Sequence, residues 1–316
     1  MKILVTGSAG HLGEALVRTL RARQVEVVGL DIVDSSFTDV RGSIAERHVV
    51  DEAMRGVTAV LHSATLHKPH VASHSRQAFV DVNVTGTLNL LEAAVTNGVR
   101  AFIYTSTTST FGDALTPPPG SPAAWITEEV VPIPKNIYGV TKIAAEDLCQ
   151  LFHRNQRLPC LILRTSRFFP ESDDVPAIRA AFDDDNLKIN ELLYRRVDVE
   201  DVVSAHLRAL EQAGTLGFGR FIISATTPFT PGDTAELGRD AARVLERRVP
   251  EFPPLYSARG WKMLPTLDRV YDNRRARASL DWQPQYDFQR ALRAVAAGAD
   301  WRSPLARLVG SKGYHN

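Results

Sequence analysis

Short apolar runs rich in β-branched residues alternate with amphipathic stretches through the first half of the chain. The runs "KILVTG" (2–7), "VEVVGLD" (25–31), "AVLHSA" (59–64) and "AFIYTST" (101–107) are nearly continuous in apolar character, as strands covered on both faces are. Between them, "GEALVRTLRAR" (13–23) and "VTGTLNLLEAAVTNG" (84–98) carry apolar residues at helical spacing. That alternation predicts an α/β fold with a doubly wound parallel sheet. The last third, from "TPFTPGDTAELGRDAARVLERRVPEFPP" (227–254) onward, reads as helices and short strands laid over the sheet as a smaller mixed domain. Asp233 and Thr234 are placed to cap a helix over "AELGRDAARVLERR" (235–248). The proline-rich stretch "GDALTPPPGSPAAW" (112–125) follows a strand and reads as a lid or binding loop.

Composition narrows the class without naming it. With 316 residues, 44% hydrophobic and 23% charged, the chain matches an ordinary globular protein able to bury a large core. A formal net charge of +1, with no long run of one sign, gives no support to a nucleic-acid or membrane-surface binder. Cys149 and Cys160 form neither a disulfide framework nor a zinc pattern, which fits a reducing cytoplasm. The opening residues pass from a strand-like run into glycines, unlike a signal peptide, and no apolar stretch reaches membrane-spanning length.

The first chemical signal is "GSAGHLG", which sets Gly7, Gly10 and Gly13 between the first strand and the first helix. Gly7 permits a tight turn, Gly10 allows backbone close to a pyrophosphate, and Gly13 allows the helix to pack on the strand. The helix N-terminus then turns free N–H groups toward the phosphates. Asp31 ends the second strand, where a carboxylate accepts hydrogen bonds from an adenosine ribose and repels a 2′-phosphate. Asp34 adds negative charge, and no arginine follows directly, so the expected cofactor is NAD rather than NADP. A carboxylate that merely ends a strand at a turn is the alternative.

The second signal is "NIYGVTK" (136–142), where Tyr138 and Lys142 share one helical face. Alone, this pair reads equally as a surface tyrosine beside a solvated lysine. The strand "AFIYTSTTSTFG" adds consecutive hydroxyls from Thr105 to Thr110. In parallel α/β sheets ligands bind beyond the carboxyl ends of strands, so some of these hydroxyls should face a substrate. The others cap turns.

Taken in order, these pieces resemble an extended short-chain dehydrogenase/reductase, and within it the NAD-dependent epimerase/dehydratase family. The set also includes "LHSAT" (61–65), "NVTGTLNLLEAA" (83–94), "LRTSRFFP" (163–170), "VDVEDVVSAH" (197–206) and "DWQPQYDF" (281–288), and the likeness runs to about residue 295. The resemblance implies Tyr138 as general base, Lys142 as its partner and Thr107 as the hydroxyl holding the reacting oxygen. It implies NAD contacts from Gly7, Gly10, His11, Leu12, Gly13, Asp31, Ala64 and Asn83, together with Tyr138 and Lys142. A free phenol has a pKa near 10, so Lys142 and the positive nicotinamide ring are expected to lower it. The family also implies a homodimer built on the helices near 85–96 and from Tyr138. It divides the chain into an NAD-binding domain (1–165 plus about 197–225) and a substrate-binding domain (about 166–196 plus 226–316).

Several positions depart from the family. Thr108 and Ser109 stand where dehydratases carry an acidic pair, which argues against dehydration. Arg167 takes the place of a substrate-contacting asparagine, and the relatives' phosphate-binding arginine falls on Tyr194, with Arg195 and Arg196 beside it. Arg167, Arg179, Arg195 and Arg196 form either an anion pocket or ion pairs with "FDDDN" (182–186), Glu200 and Asp201. Arg274 is a further substrate contact by analogy. His67, His70 and His74, with Lys68, border the expected nicotinamide pocket. Substrate contacts from His67 or Lys68, a solvated loop, or a metal on one helical face are the readings; without an acidic or cysteine ligand nearby the metal is not favoured. The substrate residues expected are thus His67, Lys68, Thr108, Arg167 and Arg196, with no metal.

Three functions follow. The first is a nucleotide-sugar epimerase of the 4-epimerase type that oxidises a sugar hydroxyl and returns the hydride. The second is a net NAD-dependent dehydrogenase or reductase of a smaller polyol, sugar acid or carbonyl compound, which the short substrate segment favours. The third is a non-catalytic NAD-binding regulator, opposed by the intact Thr107, Tyr138 and Lys142.

Overall fold

The structure, a computed structural model, describes residues 1–118, 120–173 and 175–313. Its strands are β1 (Lys2–Thr6), β2 (Glu26–Asp31), β3 (Val40–Arg41), β4 (Ala59–His62), β5 (Ala101–Thr107), β6 (Ala124–Ile126), β7 (Cys160–Thr165), β8 (Phe218–Ile223) and β9 (Arg269–Tyr271). Seven of them make one sheet in the order β3-β2-β1-β4-β5-β7-β8, and every pairing is parallel. β6 and β9 pair separately, also in parallel.

The continuous apolar runs have a simple cause. Ile3 and Val5 of β1 point into one core with Leu61, Ile103 and Leu163, whereas Leu4 points into the opposite core with Val60, Phe102 and Ile162. Each strand therefore needs apolar side chains at successive positions. The helix α1 (His11–Ala22) buries Leu12, Leu16 and Leu20 against the first of these cores. The helix Ile137–Gln156 is capped by Asn136, whose Oδ1 accepts from the Gly139 N–H at 3.1 Å, and ends at Arg157 in a left-handed conformation.

Two local expectations differ from the structure. The helix predicted over 84–98 begins as a wide π turn at Val80–Thr85 before continuing as Gly86–Thr96. The single helix predicted over 235–248 is two helices, Thr234–Leu237 and Ala241–Arg248. The break falls at Gly238, where a Cβ would sit 2.4 Å from the Ser121 carbonyl oxygen, and Asp240 restarts the helix by accepting from the Arg243 N–H at 3.1 Å. Asp233 instead accepts from the Thr230 N–H at 2.8 Å in the preceding turn.

A third core gathers Leu192, Leu193, Tyr194, Leu237, Val244, Leu245, Phe288 and Leu292, from the segments after β7 and after β8. It lies under the short β6–β9 pair, and Trp301 packs within it. Trp282 is buried in the sheet core, its indole N–H donating to Ser204 Oγ at 2.9 Å. Between β1 and β4 the strand order reverses direction, so the connections that leave their carboxyl ends run to opposite sides.

Candidate active site

A cavity of about 550 Å³ runs across the carboxyl ends of β1, β2, β4, β5 and β7. The glycine turn forms one end. Gly7 has φ +71°, and a Cβ there would meet the Ala64 nitrogen at 2.8 Å. A Cβ on Gly13 would lie 1.8 Å from the Gly7 carbonyl oxygen, so turn and helix meet only because both positions lack side chains. Gly7, Gly10, His11, Leu12 and Gly13 all line the cavity. This bare-backbone cradle at a helix N-terminus fits a dinucleotide pyrophosphate.

Asp31 also lines the cavity. Its carboxylate accepts from the Ala9 N–H and from the Val33 N–H, each at 2.9 Å, so it braces the glycine turn as well as facing the ligand space. Asp34 is exposed and stands outside the wall among the described residues. Arg41 pairs in register with Asp31 across β2 and β3 but donates to the Ile32 carbonyl at 3.3 Å and does not line the cavity.

Thr107, Tyr138 and Lys142 line the other part of the cavity. Thr107 ends β5 and its hydroxyl accepts from the Ser109 N–H at 3.1 Å; Thr108 and Ser109 extend the same wall. Lys142 is buried, and its ammonium donates to the Thr105 carbonyl at 2.6 Å. Burial lowers Lys142 to about 7, partly opposed by the carboxylate of Glu146 one turn further along the helix. Burial raises Tyr138 to about 12, with a hydrogen bond to Thr107 pulling the other way. In the chain alone burial outweighs the Thr107 hydrogen bond at the phenol, and the lysine ammonium is held by a backbone carbonyl.

Beneath this face, Glu146 accepts from Ser106 Oγ at 2.6 Å and from Arg164 at 2.7 Å. That buried network ties the Tyr138 helix to β5 and β7. His62 in β4 sits between Thr6 Oγ1 (2.8 Å) and Thr87 Oγ1 (3.0 Å), and burial keeps it neutral.

Asn83, a cofactor contact and a shaper of the site in the family resemblance, does the second: its amide is engaged by the neighbouring loop. Asn83 Oδ1 accepts from the Leu66 N–H (2.8 Å) and Thr65 Oγ1 (2.9 Å), while its amide nitrogen donates to the Leu66 carbonyl (2.9 Å) and Thr141 Oγ1 (3.1 Å). It is 2% exposed and lies behind the wall, holding the loop that carries Ala64. Ala64 itself lines the cavity.

The arginines are corrected in part. Arg196 is buried, pairs with Glu191 at 2.7 Å and donates to the Phe169 carbonyl at 2.9 Å, so it does not reach the cavity. Arg167 and Arg195 do line it, each 3.1 Å from Asp173. Their partners are Asp173 and Glu191 rather than the acidic run 182–186, because Arg167 and Arg196 lie on backbone segments paired side by side. Burial alone would raise Glu191, but Arg196, Arg195 and Arg167 hold it at about 2. Arg274 pairs with Asp272 away from the cavity, and Arg179 donates to the Asp173 carbonyl.

His67, Lys68, His70 and His74 line the cavity; Lys68 and His70 lie on a short 3₁₀ turn (Lys68–Ala72) that His67 precedes and His74 follows. The His67 ring lies 4.5 Å from that of His70 and 5.5 Å from that of Phe169. Burial, followed by the neighbouring His70, lowers His67 to about 3, so it is a neutral donor–acceptor at ordinary pH. Among the described residues no group of three His, Cys, Asp or Glu side chains is arranged to hold a metal.

Some wall residues were not legible in the sequence. Arg269 and Tyr271 come from β9, Gly42 and Ser43 from just past β3, and Lys312 and Gly313 from far along the chain. No local motif marks them, since they reach the cavity only through tertiary packing.

Residues 3–221 match the sequence model of the NAD dependent epimerase/dehydratase family, and the chain belongs to that family of NAD-dependent enzymes. It is 28% identical over 335 residues to a UDP-glucose 4-epimerase of Rhizobium meliloti, covering 95% of this chain and 97% of that one. It is 26% identical to a dTDP-glucose 4,6-dehydratase of Streptomyces antibioticus, covering 95% and 92%. Among solved structures, it resembles a short-chain dehydrogenase/reductase superfamily protein from Agrobacterium tumefaciens with bound NAD, with 26% identity, 94% and 96% coverage and a TM-score of 0.67. No helix among the described residues is long and apolar enough to cross a membrane.

Proposed function

We propose that the chain is a nucleotide-sugar epimerase of the 4-epimerase type, acting on one sugar hydroxyl. The observation that carries this reading is the single cavity wall shared by the glycine cradle, Asp31, Thr107, Tyr138 and Lys142. NAD, when bound, takes a hydride from the carbon that bears the hydroxyl and can give it back. In this reading the Thr107 hydroxyl holds the reacting oxygen, and Tyr138 takes its proton and later returns it. Lys142 stands one turn away on the same helix face, fixed by the Thr105 carbonyl, and supplies positive charge beside the phenol. Glycines 7, 10 and 13 with His11 and Leu12 hold the phosphates, and Asp31 the adenosine ribose.

Dehydration is not part of the proposal, because Thr108 and Ser109 offer no carboxyl at the wall position where an elimination needs an acid and a base. His67, Lys68 and Arg167 are the proposed substrate contacts. A homodimer is proposed through the helices Gly86–Thr96 and Ile137–Gln156, supported by Val95, Val140 and Leu151, which are 39%, 48% and 38% exposed there.

A second reading, net oxidation or reduction of a smaller anionic sugar or carbonyl compound, is favoured by one feature. Tyr194, at the expected phosphate-arginine position, is buried in the third core, and Arg167 and Arg195 are already engaged by Asp173. Incubation with a panel of UDP- and dTDP-sugars and free sugar acids separates the two. Conversion of a nucleotide sugar with no net NADH supports the epimerase, and steady NADH growth overturns it in favour of the dehydrogenase.

A further inference from the structure

The segment Ser311–Gly313 leaves the helix Pro304–Val309 at Gly310 and lies against the start of α1, where Lys312 and Gly313 join the cavity wall beside Gly10 and His11. Its anchors come from distant parts of the chain. Glu171 Oε1 accepts from Ser311 Oγ at 2.9 Å, from the Lys312 N–H at 3.2 Å and from the Gly313 N–H at 3.1 Å. The Lys312 N–H also reaches His11 Nε2 at 3.0 Å, and that nitrogen lies 3.0 Å from Glu171 Oε1. The Lys312 amide thus lies within reach of both His11 Nε2 and Glu171 Oε1. The Lys312 ammonium pairs with Glu14 in the first turn of α1.

Glu14 gives the segment a second role. Its side chain is 3% exposed and sits one residue past Gly13, close to where the dinucleotide phosphates are received. An unpaired carboxylate there would repel the pyrophosphate. Lys312 and Arg18, the latter at 2.7 Å, neutralise it. Glu171 belongs to the stretch after β7 that also carries Arg167, so the segment links the substrate side of the cavity to the phosphate cradle.

We propose that Ser311–Gly313 is part of the dinucleotide site, a strap held by Glu171, His11 and Glu14 that closes over the phosphates of NAD and has to lift before the cofactor leaves. The proposal rests on the family cofactor, not on the choice between epimerase and dehydrogenase. Slow cofactor release suits an enzyme that must return its hydride to the same substrate.

The test is cofactor release from the full-length protein and four variants. NADH serves as the fluorescent probe, chased by excess NAD in stopped flow, and thermal melting checks folding. A chain shortened after Gly310 should release NADH about ten-fold faster or more, and Glu171→Gln should accelerate release without shortening the chain. Lys312→Met should weaken equilibrium NAD affinity, and adding Glu14→Gln should restore it, because the stranded carboxylate is then gone. Release rates within about two-fold of the parent in both the shortened chain and Glu171→Gln would overturn the strap. So would a double variant no tighter than Lys312→Met, since a purely structural lysine gives no such rescue. Should the shortened chain fail to fold, Glu171→Gln and the Lys312/Glu14 pair decide alone.

Discussion

The ammonium of Lys142 lies 4.1 Å from the centre of the Tyr104 ring. A desolvated lysine needs such compensation. Its neighbours are the Thr105 carbonyl, the ring face below and the Glu146 carboxylate one turn away, while burial pulls it down to about 7. A cation over an aromatic face away from water gains about 2 kcal/mol. Tyr104→Leu should therefore move the alkaline limb of the pH–rate profile down by roughly one unit, at about 1.36 kcal/mol per unit, while Tyr104→Phe leaves it in place. Lys142→Met should cost on the order of 10² in kcat or more with an unchanged circular dichroism spectrum.

Gly13→Ala tests the cradle. Its Cβ has nowhere to go, 1.8 Å from a backbone oxygen, so helix and turn must part. Overpacking of this kind costs about 1–3 kcal/mol, and NAD affinity measured by calorimetry should fall roughly ten- to a hundred-fold.

The Arg196–Glu191 pair is 4% and 1% exposed. Arg196→Met removes the more buried partner of a carboxylate held at about 2 and leaves it to Arg195 alone at short range, so stability in urea should drop by about 2–4 kcal/mol. The KM of the folded fraction should stay near the parent value, because the side chain lies behind the cavity.

Stability should also fall in acid. His206 sits between Thr105 Oγ1 and the Val202 carbonyl, each at 2.8 Å, and burial lowers it from 6.5 to about 4. Between those values the unfolded chain binds a proton that the native chain refuses. The stabilisation is full above pH 6.5 and is lost as pH drops toward 4, by roughly 3 kcal/mol from this residue. Urea titrations at stepped pH should show that slope, and His206→Gln should flatten it.

Much of the fold was legible because strand interiors face two cores at once: Ile3 and Leu4 are neighbours in sequence and lie on opposite sides of the sheet. The glycine turn was legible for a related reason, since its residues are adjacent in sequence. Asn83 shapes the site from behind the wall rather than from it, because its carboxamide is consumed by Thr65, Leu66 and Thr141, a fact of tertiary contact. The place of Arg196 is not legible in the sequence because the acids that claim the arginines, Asp173 and Glu191, carry no pattern that separates them from 182–186. The helix over 235–248 was over-extended because the Ser121 carbonyl that requires Gly238 is remote in sequence.

The account stands on Tyr138 becoming a proton acceptor only with cofactor beside it. Burial holds its phenol up at about 12 in the ligand-free chain. The direct measurement is ultraviolet titration of phenolate in the parent minus Tyr138→Phe, with and without saturating NAD. The expected result is a single phenol whose pKa falls by about two units or more when NAD binds. An unchanged titration in the NAD-loaded protein would contradict it.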